Sequence, residues 1–372
     1  MSNAASVNER LARLTALGTS IWLDQIERKL VEGGELARLI EEDSLRGMTS
    51  NPAIFEKAIL GSEEYDEQIS TLAGEGADSR TIYQAIAIQD VQAAADVLRG
   101  VYDESDGVDG YVSLEVDPDL AFDTDKTIAQ AKEYWERVDR PNLMIKIPGT
   151  DEGLPAITAA LAEGINVNVT LLFKVEQYER VMEAWLAGLE QRVEKGEPID
   201  RLHSVASFFV SRVDTEVDKR LENMDPPAHT ELQGKAGLAN ARAAYQRYLK
   251  IIKNSDRYAK LAEQGAHVQR PLWASTGVKN PKYSPVLYVD GLAGADTVNT
   301  MPVATLDAAR EGSEATEAQV TVDPSEDLKA LADAGIDMTD VTDKLLKDGV
   351  DAFVTPMEKL LDGIDEKRKA VA

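Results

Sequence analysis

Lys146 is the residue of this chain whose surroundings in the sequence point most directly to chemistry. It lies in the segment 142–150, which has the two-residue period of a short buried strand. Three apolar residues occupy one face of that strand: Leu143, Ile145 and Ile147. Lys146 lies on the other face, and a Pro-Gly pair ends the strand after it. Burial disfavours an ammonium, and the neutral amine can attack a carbonyl to form a Schiff base, an electron sink for breaking a carbon–carbon bond. The alternative is a lysine that snorkels or faces solvent on an edge strand.

Polar residues also stand at the ends of the other predicted strands. Two of them are carboxylates that could act as general acids or bases, Asp24 and Glu115. The others are Asn51, Asn168, Thr170, Ser207, Arg212 and Ser275. Taken alone, Asp24 and Asn51 are ordinary turn residues, and Arg212 is a surface charge at a helix start. Their chemical meaning depends on whether the fold brings them to Lys146.

Segments with strand character alternate with helical segments along the chain. The predicted strands are residues 19–24, 44–52, 110–118, 142–150, 165–172, 202–210, 270–276 and 296–301. The predicted helices are one that ends near residue 17, then 25–42, 53–104, 127–138, 153–162, 174–194, 213–263 with a break at 225–227, 325–333 and 342–367. Eight such units predict an α/β fold, a (β/α)8 TIM barrel with additional N- and C-terminal helices.

We therefore expect one barrel domain over residues 1–372, in which 302–372 form an acidic, mainly helical C-terminal extension packed on the barrel. A doubly wound open sheet is the structural alternative. Against it, no Gly-x-Gly-x-x-Gly and no Gly-x-x-x-x-Gly-Lys-[Ser/Thr] loop follows any predicted strand. Because function in a barrel lies at the carboxyl ends of the strands, the polar residues would form a ring around Lys146.

The composition narrows the classes of partner. The 372 residues carry a net charge of −26, which repels nucleic acid phosphates and anionic lipids. The absence of cysteine excludes disulfides, thiolate catalysis and cysteine metal sites, and three scattered histidines argue against a histidine-based metal centre. The first residues lack the basic region and apolar core typical of a signal peptide, and no uncharged apolar run approaches transmembrane length, so we expect neither a leader nor a membrane span. We expect a cytoplasmic protein that binds neither nucleic acid nor membranes. A monomer and a homodimer both remain open.

Seven short segments together resemble the transaldolase family, class I Schiff-base enzymes of the pentose phosphate pathway. They follow the family's order: Leu-Asp (23–24), Thr-Ser-Asn-Pro (49–52), Ser-Leu-Glu-Val-Asp (113–117), Met-Ile-Lys-Ile-Pro (144–148), Gly-Ile-Asn-Val-Asn-Val-Thr-Leu-Leu-Phe (164–173), Ala-Ser-Phe-Phe-Val-Ser-Arg (206–212) and Trp-Ala-Ser-Thr (273–276). Singly each segment is weak, and jointly they are specific. The chain length and the long C-terminal portion are most similar to the actinobacterial branch.

The resemblance implies transfer of a dihydroxyacetone unit from sedoheptulose 7-phosphate to glyceraldehyde 3-phosphate, which gives erythrose 4-phosphate and fructose 6-phosphate. Lys146 would form the Schiff base with C2 of the donor sugar. Asp24 would take the proton of the C4 hydroxyl, so that the C3–C4 bond breaks. Glu115 and Thr170 would hold a water that moves protons while the carbinolamine dehydrates. No metal or organic cofactor is implied.

The remaining matched positions would bind the substrate. Asn51, Asn168 and Ser207 would form hydrogen bonds with the bound dihydroxyacetone unit. Arg212 and Ser275 would hold the sugar phosphate, for which a guanidinium is well suited.

Two positions bear on which activity within this group to expect. In much of the family an arginine follows the seventh strand, and here Lys279 stands in that loop as a point charge. The related fructose 6-phosphate aldolases tend to carry a tyrosine where this chain has Phe209, and they lack the glutamate–water arrangement. Phe209 and Glu115 together therefore favour a transferase over an aldolase-like lyase. Simple core packing is the structural alternative for Phe209.

Two other functions stay as alternatives. A barrel glycosidase could use Asp24 and Glu115 as its two carboxylates, but it would leave Lys146 without a role. A non-catalytic sugar-phosphate sensor would be expected to lack the lysine or an acid, and both types of residue are present.

Overall fold

The computed structural model describes residues 6–224 and 229–371. Within these ranges, eight parallel strands pair in chain order and close into a barrel, because the first strand also pairs with the last. The strands are β1 (Thr19–Asp24), β2 (Leu45–Thr49), β3 (Tyr111–Glu115), β4 (Leu143–Pro148), β5 (Val167–Leu172), β6 (Ser204–Phe209), β7 (Arg270–Ala274) and β8 (Thr297–Met301). The (β/α)8 prediction is confirmed, and the doubly wound open sheet is wrong.

Helices surround the barrel and flank it at both ends of the chain. They are α1 (Glu9–Ala16), α2 (Arg28–Glu32), α3 (Glu35–Glu42), α4 (Pro52–Leu60), α5 (Asp66–Gly74), α6 (Ser79–Glu104), α7 (Thr124–Val138), α8 (Gly153–Ala162), α9 (Val175–Glu194), α10 (Ser211–Glu222), α11 (Ala236–Tyr248), α12 (Asp256–Ala262), α13 (Leu287–Gly291), α14 (Val303–Gly312), α15 (Ser325–Asp333) and α16 (Met338–Val371). None of the helices in the described ranges combines the length and apolar character needed to cross a bilayer.

Each strand lies inside the segment predicted for it, whereas three long helical predictions are divided. Beyond its predicted break, the segment 213–263 forms two separate helices, α11 and α12. The predicted helix 25–42 is two helices, α2 and α3, because Gly34 between them has a φ of 81°, outside helical geometry. The predicted region 53–104 is three helices, α4 to α6, and Gly76 has a φ of 88° before the last of them. The predicted break at 225–227 lies outside the described residues.

Side chains alternate across the strands, so the barrel has apolar layers on both faces. The outward face of β4 packs against the helices through Leu143, Ile145 and Ile147. The inward faces contribute a second apolar cluster, which includes Trp22, Tyr111, Met144, Val205, Leu272 and Val298. Lys146 follows Met144 on the same inward face of β4, so its side chain projects into the barrel above this apolar layer.

An ion pair closes the amino-terminal end of the barrel. Arg270 lies 3.0 Å from Asp109 Oδ1, and the two side chains are only 12% and 14% exposed. The same carboxylate oxygen accepts hydrogen bonds from Ser20 Oγ at 2.7 Å and from Trp22 Nε1 at 3.3 Å. With this end occupied, a ligand has to approach from the carboxyl ends of the strands.

The residues after β8 contact the barrel and its helices at several points. α14 packs against α1, β1 and β8, and α15 packs against α11. α16 is 34 residues long and contacts α4, α5 and α6 at one end and α10 and β5 at the other. That residues 1–372 form one domain, with 302–372 as its extension, stays a prediction.

Gly47 of β2 lies so close to the Trp22 indole that an added Cβ would be 2.5 Å from a ring carbon. Trp22 is fully buried, so the ring cannot move without disturbing the apolar layer around it. We expect Gly47→Ala to lower the free energy of unfolding by about 1–3 kcal/mol, as other overpacked cores do.

The matched control is Gly100→Ala. Gly100 is an exposed residue inside α6, and no atom of the described residues outside its own helical turn lies within 4 Å of an added Cβ. Because alanine favours a helix, this change should raise the free energy of unfolding by about 0.5–1 kcal/mol. Urea denaturation followed by circular dichroism measures both variants. Equal midpoints for Gly47→Ala and the unmodified protein would contradict the predicted clash.

Candidate active site

Lys146 lies near the end of β4, inside the barrel, with only 5% of its side chain exposed. Its Nζ donates a hydrogen bond to the carbonyl oxygen of Ser50 at 3.0 Å and lies 3.4 Å from Glu115 Oε2. Ser50 is itself held in place, because its hydroxyl donates to the carbonyl oxygen of Ser113 at 2.7 Å. β4 pairs with a strand on each side, so the solvent-facing lysine of an edge strand is excluded. The amine is buried, fixed in position and next to one carboxylate.

Glu115 and Thr170 flank this amine from the neighbouring strands. Glu115 pairs in register with Lys146, and Thr170 pairs with Pro148. Among the described residues, neither oxygen of Glu115 nor the hydroxyl of Thr170 has a hydrogen-bond partner. Burial raises the pKa of Glu115 to about 7, although the nearby Lys146 ammonium opposes the rise. A carboxyl group in this setting can accept or release a proton near neutral pH.

Asp24 ends β1 and lies close enough to Lys146 and Glu115 for their charges to interact. Its Oδ1 accepts a hydrogen bond of 2.7 Å from Thr49, whose hydroxyl also lies 2.6 Å from that of Thr300. Asp24 borders the cavity and is part-exposed to it, but protein surrounds it closely enough to raise the pKa of its carboxyl group. Lys146, the Thr49 hydrogen bond and Arg212 oppose that rise. The site therefore contains two carboxyl groups with raised pKa values near one amine.

Ser207 and Asn168 form a hydrogen-bonded row inside the barrel. Ser207 Oγ donates to Asn168 Oδ1 at 2.7 Å, and Asn168 Nδ2 donates to Ser113 Oγ at 3.0 Å. These bonds fix the orientation of the buried amide beside Lys146, its partner in the sheet register. Asn51 is fixed differently, since its side-chain oxygen accepts from the backbone amide of Ile54 and caps α4.

The positively charged side of the site comes from the ends of β6 and β7. Arg212 lies at the start of α10, with its guanidinium carbon 5.3 Å from the centroid of the Phe209 ring. Ser275 has a φ of 56°, a left-handed conformation that is uncommon for serine. Its hydroxyl lies 2.8 Å from that of Ser211. Lys279 is exposed at the rim.

A cavity of about 250 Å³ lies between these groups. Eight predicted site residues line it: Asp24, Asn51, Lys146, Ser207, Phe209, Arg212, Ser275 and Lys279. The other three, Glu115, Asn168 and Thr170, do not reach the open space and lie buried around Lys146. A larger groove of about 520 Å³ lies between α9, α11 and α15, but it contains none of the predicted site residues. The 250 Å³ cavity is therefore the candidate active site.

Six further residues line the cavity and were not predicted: Thr49, Ala274, Gly277, Thr300, Pro302 and Phe353. Thr49 stands beside Asn51 in the Thr-Ser-Asn-Pro segment, and Thr300 ends a predicted strand, so both carried a signal that the sequence analysis did not use. Phe353 carried none, because it belongs to an acidic helix far from every strand end.

The raised pKa of Glu115 predicts a specific dependence of stability on pH. Between its ordinary value of 4.5 and about 7, the folded protein keeps a proton that the unfolded chain has released. Unfolding in this range therefore releases a proton, and the contribution of Glu115 to the free energy of unfolding falls as the pH rises. Glu115→Gln cannot titrate, so we expect its free energy of unfolding to fall less steeply over this range.

Urea denaturation at a series of pH values measures the effect. Glu136→Gln, which removes an exposed carboxylate on α7, is the matched control for the change in net charge. Parallel curves for the unmodified protein and Glu115→Gln would mean that the fold leaves this carboxyl group with its ordinary pKa.

Comparison with known proteins agrees with this geometry. A model of the family described as "Transaldolase/Fructose-6-phosphate aldolase" matches residues 21–364. The transaldolase of Mycolicibacterium paratuberculosis is 51% identical over 358 residues, which cover 95% of this chain and 96% of that protein. The transaldolase of Mycobacterium tuberculosis is 50% identical over 358 residues, with 95% and 96% covered. That of Saccharopolyspora erythraea is 50% identical over 365 residues, with 97% and 98% covered. The resemblance to the actinobacterial branch is confirmed, and this chain belongs to the transaldolase/fructose 6-phosphate aldolase family.

Proposed function

We propose that this chain is a transaldolase, a transferase that moves a dihydroxyacetone unit from sedoheptulose 7-phosphate to glyceraldehyde 3-phosphate through a Schiff base on Lys146. The observation that carries the proposal is the buried amine of Lys146, which opens onto the cavity with Glu115 Oε2 at 3.4 Å. Relatives that are half identical over nearly the whole chain are named transaldolases, which supports the same activity.

In the first half of the reaction, the Lys146 amine attacks the C2 ketone of the donor, and the carbinolamine loses water to give an iminium ion. Glu115 is suited to move protons in this step, because its raised pKa lets it act in both directions near neutral pH. Thr170, on the strand at the other side of β4, has a buried hydroxyl without a hydrogen-bond partner among the described residues, and it would help to hold the water involved.

In the second half, the C3–C4 bond breaks and its electron pair moves into the iminium ion, which becomes an enamine. The proton of the C4 hydroxyl passes to Asp24, and the aldehyde product leaves. The enamine then attacks the acceptor aldehyde, and the steps run in reverse until water releases the new ketose. Asp24 fits the role of base, since it faces the cavity and receives a hydrogen bond from Thr49 that orients it.

Substrate binding divides into two regions of the cavity. Asn51 and Ser207 face the space beside Lys146, with Asn168 held behind Ser207, and they would bind the hydroxyls of the dihydroxyacetone unit. Arg212 and Ser275 would bind the phosphate at the other end. Three cations and one carboxylate line the cavity, so an anionic sugar phosphate meets locally favourable charge in a protein of net charge −26.

An aldolase-like lyase on the same scaffold is the second candidate, and the family description names both activities. Phe209 argues for transfer, because the fructose 6-phosphate aldolases tend to carry a tyrosine at this position. Its ring lines the cavity without a hydroxyl, and its centroid lies 5.1 Å from that of Phe173. A glycosidase is less well supported, because it gives the buried Lys146 no role.

We further propose that the enzyme needs no cofactor, since the lysine itself supplies the electron sink. The cysteine-free chain would work in the cytoplasm.

The test is release of glyceraldehyde 3-phosphate from fructose 6-phosphate, with and without erythrose 4-phosphate. Sustained release only with the acceptor, together with sedoheptulose 7-phosphate, is the expected result. Sustained release without the acceptor would instead identify a lyase. Borohydride should inactivate the enzyme only when fructose 6-phosphate is present, because only an imine is reduced. Failure of borohydride to inactivate would contradict the Schiff-base mechanism.

Two variants separate the chemical steps. Lys146→Ala should bind fructose 6-phosphate but transfer nothing. Asp24→Asn should still be trapped by borohydride, while cleavage slows by roughly 10²–10⁴-fold, the usual contribution of a general base. Normal cleavage by Asp24→Asn would remove Asp24 from this role.

The two phosphate contacts predict effects of different size. Arg212→Gln removes a part-buried guanidinium and should raise KM for fructose 6-phosphate by about ten- to hundredfold. Lys279→Gln removes an exposed point charge and should raise KM only about two- to fivefold.

Lys282→Gln serves as the control for both, since Lys282 is exposed in the same loop and does not line the cavity. Steady-state kinetics at constant ionic strength gives all three values. If Lys282→Gln raises KM as much as Lys279→Gln does, the effect of Lys279 is a general change of charge and not a phosphate contact.

A further inference from the structure

Part of the C-terminal helix, α16, covers the mouth of the barrel. It contributes an apolar side chain to a site whose other functional groups are polar. The first half of α16 contacts β5, α10 and the 3₁₀ turn Pro118–Leu120 that follows β3. Gly349 allows this close approach, because an added Cβ there would lie 3.2 Å from both Leu171 and Phe173. One helical turn further, Phe353 is only 4% exposed and lines the cavity.

Phe353 lies directly over the reactive amine. The Nζ of Lys146 is 5.5 Å from the centroid of its ring. The ring belongs to the same apolar cluster as Phe209, which lines the cavity at the end of β6, and Phe173, which is buried after the end of β5. The cavity therefore has a polar floor, formed by the strand ends, and an apolar roof above the nitrogen that would carry the Schiff base.

The chemistry of the enamine gives this roof a consequence. After the C3–C4 bond breaks, the enamine has two possible fates. In transfer, its C3 attacks the acceptor aldehyde, a new carbon–carbon bond forms, and the aldehyde oxygen takes up a proton. In release, C3 is protonated by solvent, and water then hydrolyses the iminium ion to free dihydroxyacetone and the lysine amine. Hydrolysis of an iminium ion ends both routes, so the step particular to release is protonation of C3, and an apolar roof keeps away the solvent that would supply this proton.

We propose that Phe353 determines the partition between transfer and release by shielding the enamine on Lys146 from solvent. This inference rests on the proposed function and adds a specificity-determining residue contributed by the C-terminal extension. The ring also faces a nitrogen that is positively charged in the iminium ion, and this is a second, smaller stabilising contact.

The measurement is the ratio of two rates for each variant. The first is glyceraldehyde 3-phosphate release from fructose 6-phosphate without an acceptor, with free dihydroxyacetone quantified alongside. The second is sedoheptulose 7-phosphate formation with erythrose 4-phosphate present. Because both rates scale with the amount of folded enzyme, partial unfolding does not change their ratio.

The variants form a series in which the apolar side chain over Lys146 becomes smaller: Phe353→Leu, Phe353→Val and Phe353→Ala. We expect the release-to-transfer ratio to stay close to the unmodified value for leucine, which keeps an apolar roof, and to rise through valine to alanine. For alanine the rise should be roughly tenfold or more, since water then reaches the enamine. If Phe353→Ala does not fold, the valine variant still tests the trend.

Met357→Ala is the matched control. Met357 lies one turn further on the same face of α16, is 4% exposed, and packs in the outer apolar layer away from the cavity. It should leave the ratio unchanged, and borohydride trapping with fructose 6-phosphate should remain intact in every variant.

Three outcomes overturn the proposal: an unchanged ratio in Phe353→Ala, an equal rise in Met357→Ala, or an equal rise in Phe353→Leu. The last would mean that the aromatic contact matters and the apolar cover does not. If the unmodified protein neither transfers nor is trapped by borohydride, the proposed function fails and this inference fails with it. If the unmodified protein both transfers and is trapped, the release-to-transfer ratios of the variants test the role of Phe353 alone.

Discussion

The pairing of Lys146 with Glu115 inside a closed barrel is the interaction on which the rest of the site depends. Each charged group would lose several kcal/mol of hydration if it were buried alone. Their separation of 3.4 Å offsets part of that loss, and the Ser50 carbonyl offsets more. The barrel holds them together because β3 and β4 are neighbours, with Glu115 opposite Lys146 in the register. At this separation a proton can pass directly between the two groups, without an intervening water.

Such a pair needs rigid support beneath it, and the lower half of the barrel supplies this. Trp22 fills the space under Thr49, and Gly47 is small enough to let the indole lie against β2. Below the apolar layer, Arg270 and Asp109 close the end of the barrel with their own hydrogen-bond network. The interior is thus polar, apolar and polar again from one end to the other. The apolar layer separates two sets of charges that would otherwise compete for the same partners.

Much of this arrangement was predictable from the sequence because it follows from short-range patterns. The period of the strands, their alternation with helices and the polar residue at each strand end together predict a barrel with a polar ring. What could not be predicted depends on contacts between distant segments. Glu115 and Thr170 stand at strand ends like Asp24, yet they lie beneath the cavity instead of lining it, because strand stagger sets their depth. The breaks beside Gly34 and Gly76 depend on backbone angles that composition does not fix.

Phe353 shows most clearly what could not be predicted from the sequence. Its own segment has the pattern of an acidic amphipathic helix. Its proposed role as a cover over Lys146 follows only from where α16 packs on the barrel. The second half of the helix buries Met357, Leu360 and Ile364 against α4, α5 and α6, away from the mouth. Because the entropy cost of closing a long connection grows slowly with its length, a distant segment can serve as a roof if its anchor is strong. The polar floor and the apolar roof are then set by separate parts of the chain, so the cover over Lys146 can change without disturbing the groups that perform the chemistry.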